Sequence, residues 1–288
     1  MPEVRATVRR RRLGRELEEL RHAQGLTLEQ AAELLQRPKT SLSKIENGKQ
    51  QLPVRDVPFI LDSYQLTDPA RREEIMELAR KAAQRNWWQQ FKGVVRDPFA
   101  DYLSLEESAT RIFKWSPLLI PGWLQTEFYA RRVVAASRMW QTDEEIDKFV
   151  QLRLNRKKAV IDRDDPPELW VALSETAVRQ RVGGPDTAVM KEQLEYLCDI
   201  AADRRYSHVQ IVLLPYEAGE HAGLEGSFTL MHFDSGPAIV CLEALTSAQY
   251  LEDEDAVKRY TTAAEHLRSA ALSPRDTIAA LSKMIKEL

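Results

Sequence analysis

Two cysteines in 288 residues, Cys198 and Cys241, are too few for a disulfide framework and lack the spacing of a zinc site. No apolar run approaches the roughly 20 residues that a bilayer span needs. The opening MPEVRATVRRRRLG has no apolar stretch that would serve as a signal peptide. There is no Gly-rich phosphate loop, no nucleophile elbow and no pair of histidines at metal-binding spacing. These absences predict a protein of the reducing cytoplasm that is not an enzyme, carries no cofactor or metal and does not meet a membrane.

What is present is ordinary in bulk and uneven in place. Charged residues make up 30% and hydrophobic ones 43%, and the formal net charge is −3. Residues 1–92 hold 18 Lys and Arg against 13 Asp and Glu, whereas the remainder holds 23 against 31. A basic head on an acidic body predicts that only the head meets a polyanion. The length is comfortable for two domains.

In residues 13–66 the apolar residues recur at helical spacing and the segments are short. Leu13, Leu17 and Leu20 share one face of a first helix that stops at Gly25. Thr27, with Gln30 three residues on, predicts a capping box opening a second helix to about Leu35. A third helix is expected from Pro38 to Asn47, with Leu42 and Ile45 inward and Gly48 as its left-handed stop. Pro53 opens a fourth, carrying Val57, Ile60 and Leu61 inward. A charged fifth runs from Pro69 to about Arg85. The outward face of the third helix carries Lys39, Thr40, Ser43 and Lys44, residue types that contact base edges in a major groove. Thr27, Gln30, Asn47 and Lys49 suit phosphate contacts. The run Arg9, Arg10, Arg11, Arg12, with Arg5 and Arg15, reads either as a basic arm on phosphates or as a solvated helix start.

The stretch LTLEQAAELLQRPKTSLSKIENGKQQLP resembles the phage-repressor-like, xenobiotic response element family of helix-turn-helix modules, with Ser43-Lys44-Ile45-Glu46-Asn47-Gly48 matching its usual ending. The resemblance implies a sequence-specific transcriptional regulator of double-stranded DNA. Two basic heads repel, so a homodimer is expected to pair through the C-terminal domain, with the apolar residues of its last two helices as candidates. The turn departs from the pattern, with Gln36, Arg37 and Pro38 where Gly, an apolar residue and Ser are usual. Gln36 is expected to take the glycine's backbone at φ > 0, and Arg37 to supply a phosphate contact.

Trp87, Trp88 and Phe91 interrupt the charged pattern, which places a boundary near residues 86–100. Beyond it, 101–115 and 125–160 read as helices, 168–174, 208–215 and 226–233 as strands, and 185–203 as a helix. A turn at Ser235-Gly236-Pro237 leads into AIVCLEAL, making a hairpin, and helices over 253–271 and 274–287 finish the chain. The expected fold is therefore an all-α helix-turn-helix bundle over 1–86, then an α+β domain with a small mixed sheet over 87–288. WWQQF, YLSLEESA, IPGWLQTEFYAR, RQRVGGP, QIVLLP, GSFTLMHF and CLEAL resemble the C-terminal domain of actinobacterial antitoxin-like or WhiJ-like regulators. That resemblance implies a small protein partner encoded nearby. Glu217, Glu220, His221 and Glu225 form either a metal or acid–base cluster or a hydrophilic loop. Among the six tryptophans, Trp115 and Trp123 are candidates for contact with a partner or a small-molecule effector; core packing is the alternative.

Overall fold

The computed structural model describes residues 8–83, 87–91, 93–95, 97–140, 142–234, 236–244 and 247–288. Arg5, residues 85–86, Arg96, Ser235 and Leu245, each invoked above, lie outside them. The chain divides into two compact units, the first joining 97–108 to the N-terminal segment and the second made of 90–96 and 109–288.

The first unit is all α. Its helices are α1 (Val8–Ala23), α2 (Leu28–Leu34), α3 (Lys39–Glu46), α4 (Val57–Ser63), α5 (Pro69–Ala83) and α6 (Asp97–Ser108). Leu13, Leu17, Leu42, Ile45, Ile60, Leu61 and Ile75 bury their side chains in one core, as the helical spacing requires. Four successive helices end in the same way. After α1, α2, α3 and α4 the chain turns left-handed at Gly25, Gln36, Gly48 and Gln65, with φ of 67°, 51°, 67° and 54°. At each turn two N–H groups reach back to orphan carbonyls, as when Arg37 donates to Ala32 O at 2.9 Å and Gln36 to Glu33 O at 3.0 Å.

Charge and aromatic pattern do not foresee α6 in this unit. It is held there by Arg9 of α1, whose Nε donates to Ser108 Oγ at 2.7 Å and whose Nη2 lies 3.0 Å from Glu107.

The second unit is a six-stranded mixed sheet with strand order β3-β2-β1-β4-β5-β6. Its strands are β1 (Arg111–Ser116), β2 (Glu168–Ser174), β3 (Val209–Leu214), β4 (Phe228–His232), β5 (Ile239–Glu243) and β6 (Ala248–Leu251). β1, β2 and β3 run parallel, joined through helices α7 (Glu127–Ala136), α8 (Asp143–Val160), α9 (Glu175–Arg179) and α10 (Ala188–Ala202); the other pairings are antiparallel. The fold class is thus all-α followed by α+β.

Two readings of the sequence need correction here. The helix expected over 101–115 ends at Ser108, and RIFKWS is the central strand β1, buried along five of its six residues. The single helix expected over 125–160 is two, since α7 ends at Ala136 and Thr142 caps α8 with its own capping box. The expected hairpin is β4–β5, and β6 extends it.

One sheet face packs Phe113, Trp115, Ala172, Val212, Phe228, Leu230 and Val240 against Ala264 and Leu267 of α11 (Glu254–Ala270). Edge strand β3 is covered by α12 (Pro274–Glu287): Thr277 Oγ1 accepts from Leu213 N at 3.0 Å, and Leu272 N donates to Leu213 O at 2.8 Å. Open ladder groups that would invite another strand are closed this way.

Candidate nucleic-acid interface

Helix α3 has two unlike sides. Leu42, Ile45 and Glu46 are buried, while Lys39, Thr40 and Lys44 are exposed and Ser43 half-exposed. Positions 39, 40, 43 and 44 lie one turn apart in pairs, so the four side chains share one face. Helix α2 packs behind, opened by the capping box foreseen in the sequence: Gln30 N donates to Thr27 Oγ1 at 3.2 Å and Thr27 N to Gln30 Oε1 at 2.9 Å.

The face is electrostatically selective among its own cations. Lys39 pairs with Glu29 from the first turn of α2, and that ion pair holds the Glu29 carboxyl below the usual range. Arg37 is turned to Asp56, 2.5 Å away. Lys44 is exposed, and no carboxylate pairs with it among the described residues. Of the two lysines of α3, Lys44 is therefore the one that an incoming duplex meets without first breaking an ion pair. Asn47 and Lys49 are exposed beyond the helix end, and Asn47 Nδ2 donates to Ser43 O at 2.8 Å. A surface cleft of about 360 Å³ runs between α2 and α3, lined by Glu29, Ala32, Glu33, Gln36, Arg37 and Lys39.

The arginine run divides. Arg9 is 8% exposed and spent on α6 and on Lys81 O, and burial pulls its pKa down against the opposing pull of Glu107. It is a structural cation rather than part of a basic arm. Arg10 donates to Gln51 Oε1 at 3.3 Å, and Arg11 and Arg12 are half-exposed. The four side chains do not share one surface role, because α1 already begins at Val8 and its helical period sends them in different directions.

Sequence reasoning passed over two features that set the angle of α3. Glu46, inside the recognised motif, is buried and accepts from Arg21 Nε at 2.8 Å and Nη2 at 3.0 Å, while Arg21 Nη1 donates to Leu26 O at 2.9 Å. This bidentate pair ties the end of α1 to the end of α3. The signal available was an acid one residue from Ile45, on the inward side of an amphipathic helix. The second feature is a close backbone crossing. A Cβ on Gly14 would lie 2.1 Å from Glu46 O, and one on Gly48 would lie 2.6 Å from Arg11 N. Gly48 therefore serves both the left-handed stop and the approach of α1.

In the second unit the tryptophan and histidine candidates are structural. Trp115 and Trp123 are fully buried, so they offer no surface to an effector or partner. Trp115 Nε1 donates to Gly223 O at 2.9 Å, and its ring meets His221 edge-on at 5.3 Å. His221 Nδ1 accepts from Gly223 N at 3.1 Å. Glu217, Glu220 and Glu225 stay exposed on the same loop. Among the described residues, no group of three or more His, Cys, Asp or Glu is arranged to hold a metal ion, and no helix is long and apolar enough to cross a membrane.

A short helix, a four-residue turn and a second helix whose polar face is exposed, within a bundle closed by a single core, define a helix-turn-helix DNA-binding protein. A family model for a helix-turn-helix domain matches residues 12–75. A second model, a domain of unknown function designated DUF5753, matches residues 99–283, and the chain belongs to that family. Comparisons with curated proteins and with solved structures return no match.

Proposed function

We propose that this protein is a sequence-specific transcriptional regulator that lays α3 in the major groove, with Thr40, Ser43 and Lys44 on base edges and with Arg11, Thr27, Gln30, Asn47 and Lys49 beside phosphates. The reading rests on one observation, the exposed face of α3 whose Lys44 no carboxylate engages among the described residues. Lys39 joins on binding, when phosphate or base competes for it against Glu29. The protein works as a homodimer, since one short helix reads too few base pairs to specify an operator and two half-sites a helical turn apart do. The second unit is a regulatory module that docks a protein partner or senses a small effector and is not an enzyme. A second reading, an antitoxin-type protein that mainly binds a small partner and represses its own operon, draws on the resemblance of the second unit's motifs to antitoxin-like regulators.

Selection of duplexes from a random pool by the full chain tests the main reading. Enriched sequences should contain an inverted repeat with half-site centres about 10 base pairs apart. A pool left unenriched would reject sequence-specific binding.

A further inference from the structure

We infer that the end of the second unit formed by the loops after β1 and β3 is a docking surface for a cationic, amphipathic protein segment. This rests on the partner-docking role proposed above and names the chemistry of the partner.

Among the described residues, the large apolar side chains that this unit leaves exposed are Leu118, Leu119, Phe128, Tyr216 and Leu224, and all five come from this end. Leu118 and Leu119 lie in the loop after β1, Phe128 in the first turn of α7 that the loop enters, and Tyr216 and Leu224 in the segment between β3 and β4. Scattered exposed leucines are normal on a monomer, whereas a collection at one end marks an interaction surface. Leu224 is 69% exposed and Leu118 66%, so about two-thirds of each residue is on display.

The segments that carry them are stitched to one another. Ser174 Oγ at the end of β2 donates to Pro117 O at 2.5 Å. The next two residues reach Tyr216: Glu175 Oε2 accepts from its N–H at 3.0 Å, and Thr176 Oγ1 lies 3.4 Å from its hydroxyl. Gly223, just before Leu224, is pinned on Trp115 so tightly that a Cβ there would sit 2.4 Å from the indole nitrogen. A surface held in this way loses little entropy when a partner lands on it.

Charge selects the occupant. Glu127, Glu217, Glu220 and Glu225 are exposed around the apolar residues, and none of them forms an ion pair among the described residues. The cation tied into the stitching, Arg179, is already held by Glu175 and Glu287. Such a rim repels nucleic acid and anionic bilayers. It also repels a second copy, because a two-fold contact would set the same carboxylates against one another. A helix with an apolar stripe flanked by Lys or Arg matches both the stripe and the rim.

The test uses the full chain and two fluorescent helical peptides of about five turns, one of Leu and Lys and one of Leu and Glu. Anisotropy should show the Leu/Lys peptide bound, more weakly as salt rises, and the Leu/Glu peptide unbound. The double variant L118S/L224S and the triple variant E217Q/E220Q/E225Q should each lose about tenfold in affinity or more, with thermal melts and DNA titrations unchanged. Equal binding of the two peptides, or variants that bind like the parent, would overturn the proposal. So would self-association of the parent chain that the variants abolish, since the surface would then belong to a second copy. A chain that captures the Leu/Lys peptide but enriches no duplex would remove the regulator reading and leave this surface standing.

Discussion

Gln36 and Tyr64 are both held against their preferences. Gln36 occupies a left-handed turn with φ of 51°, where Gly25 and Gly48 occupy the equivalent turns of their own helices. A side chain there costs about 1 kcal/mol relative to glycine. Gln36→Gly should therefore raise the melting temperature of the helical unit, with the turn and DNA affinity unchanged, in a thermal scan with and without duplex. Tyr64 is buried with no partner for its hydroxyl among the described residues, and burial first, then the nearby Glu46 carboxylate, pushes its pKa to about 12. A folded value above the unfolded one of about 10 contributes stability that is complete below pH 10 and lost as pH rises toward 12. Melts of Tyr64→Phe should match the parent near neutrality or exceed it, and should decline less between pH 10 and 12.

Among elements, the crossing of α1 and α3 decides how the recognition helix is presented. Gly14 lets the α1 backbone lie against the carbonyls of Ile45 and Glu46, with no room for a methyl group. Gly14→Ala should cost at least about 1–3 kcal/mol, read as a lower melting temperature together with weaker DNA binding; a silent substitution would show that the crossing is loose. This contact was invisible in the sequence, since a glycine inside a helical apolar pattern does not name what it touches. The helix-turn-helix was legible because its signals are local: the Thr27–Gln30 capping box, the apolar spacing of Leu42 and Ile45, and the stop at Gly48. β2 to β5 were legible as runs of apolar and β-branched residues. β1 was not, because it lies two residues beyond α6 with no glycine or proline between them, and its lysine reads as a polar helix position. Lys114 is buried there, satisfied by Thr229 Oγ1 at 3.0 Å and Glu243 Oε2 at 2.7 Å, a long-range pairing that no local pattern announces.

At the scale of the whole molecule, the helical unit is larger than its sequence motif. Arg9 gives its guanidinium to Glu107 and Ser108, so a chain cut after residue 86 leaves that buried charge without its carboxylate. A fragment of 1–108 should melt higher and more cooperatively than 1–86. Equal melts would mean that α6 adds nothing to the fold it joins. The charge asymmetry of the sequence nearly vanishes between the two units, because 97–108 brings four acids to the first. That unit holds 17 Lys and Arg against 17 Asp and Glu, and the second holds 24 against 27. The assignment of the duplex to α3 therefore rests on the exposed face of that helix and not on net charge. That assignment meets its sharpest trial in one titration, Lys44→Ala against the parent chain on a selected duplex and on a scrambled one, with a thermal melt of each protein. Lys44 buries nothing, so the melts should coincide, while affinity for the selected duplex falls by about 1–3 kcal/mol and affinity for the scrambled one changes far less. Unchanged affinity for the selected duplex, with unchanged melts, would mean that α3 does not read the groove.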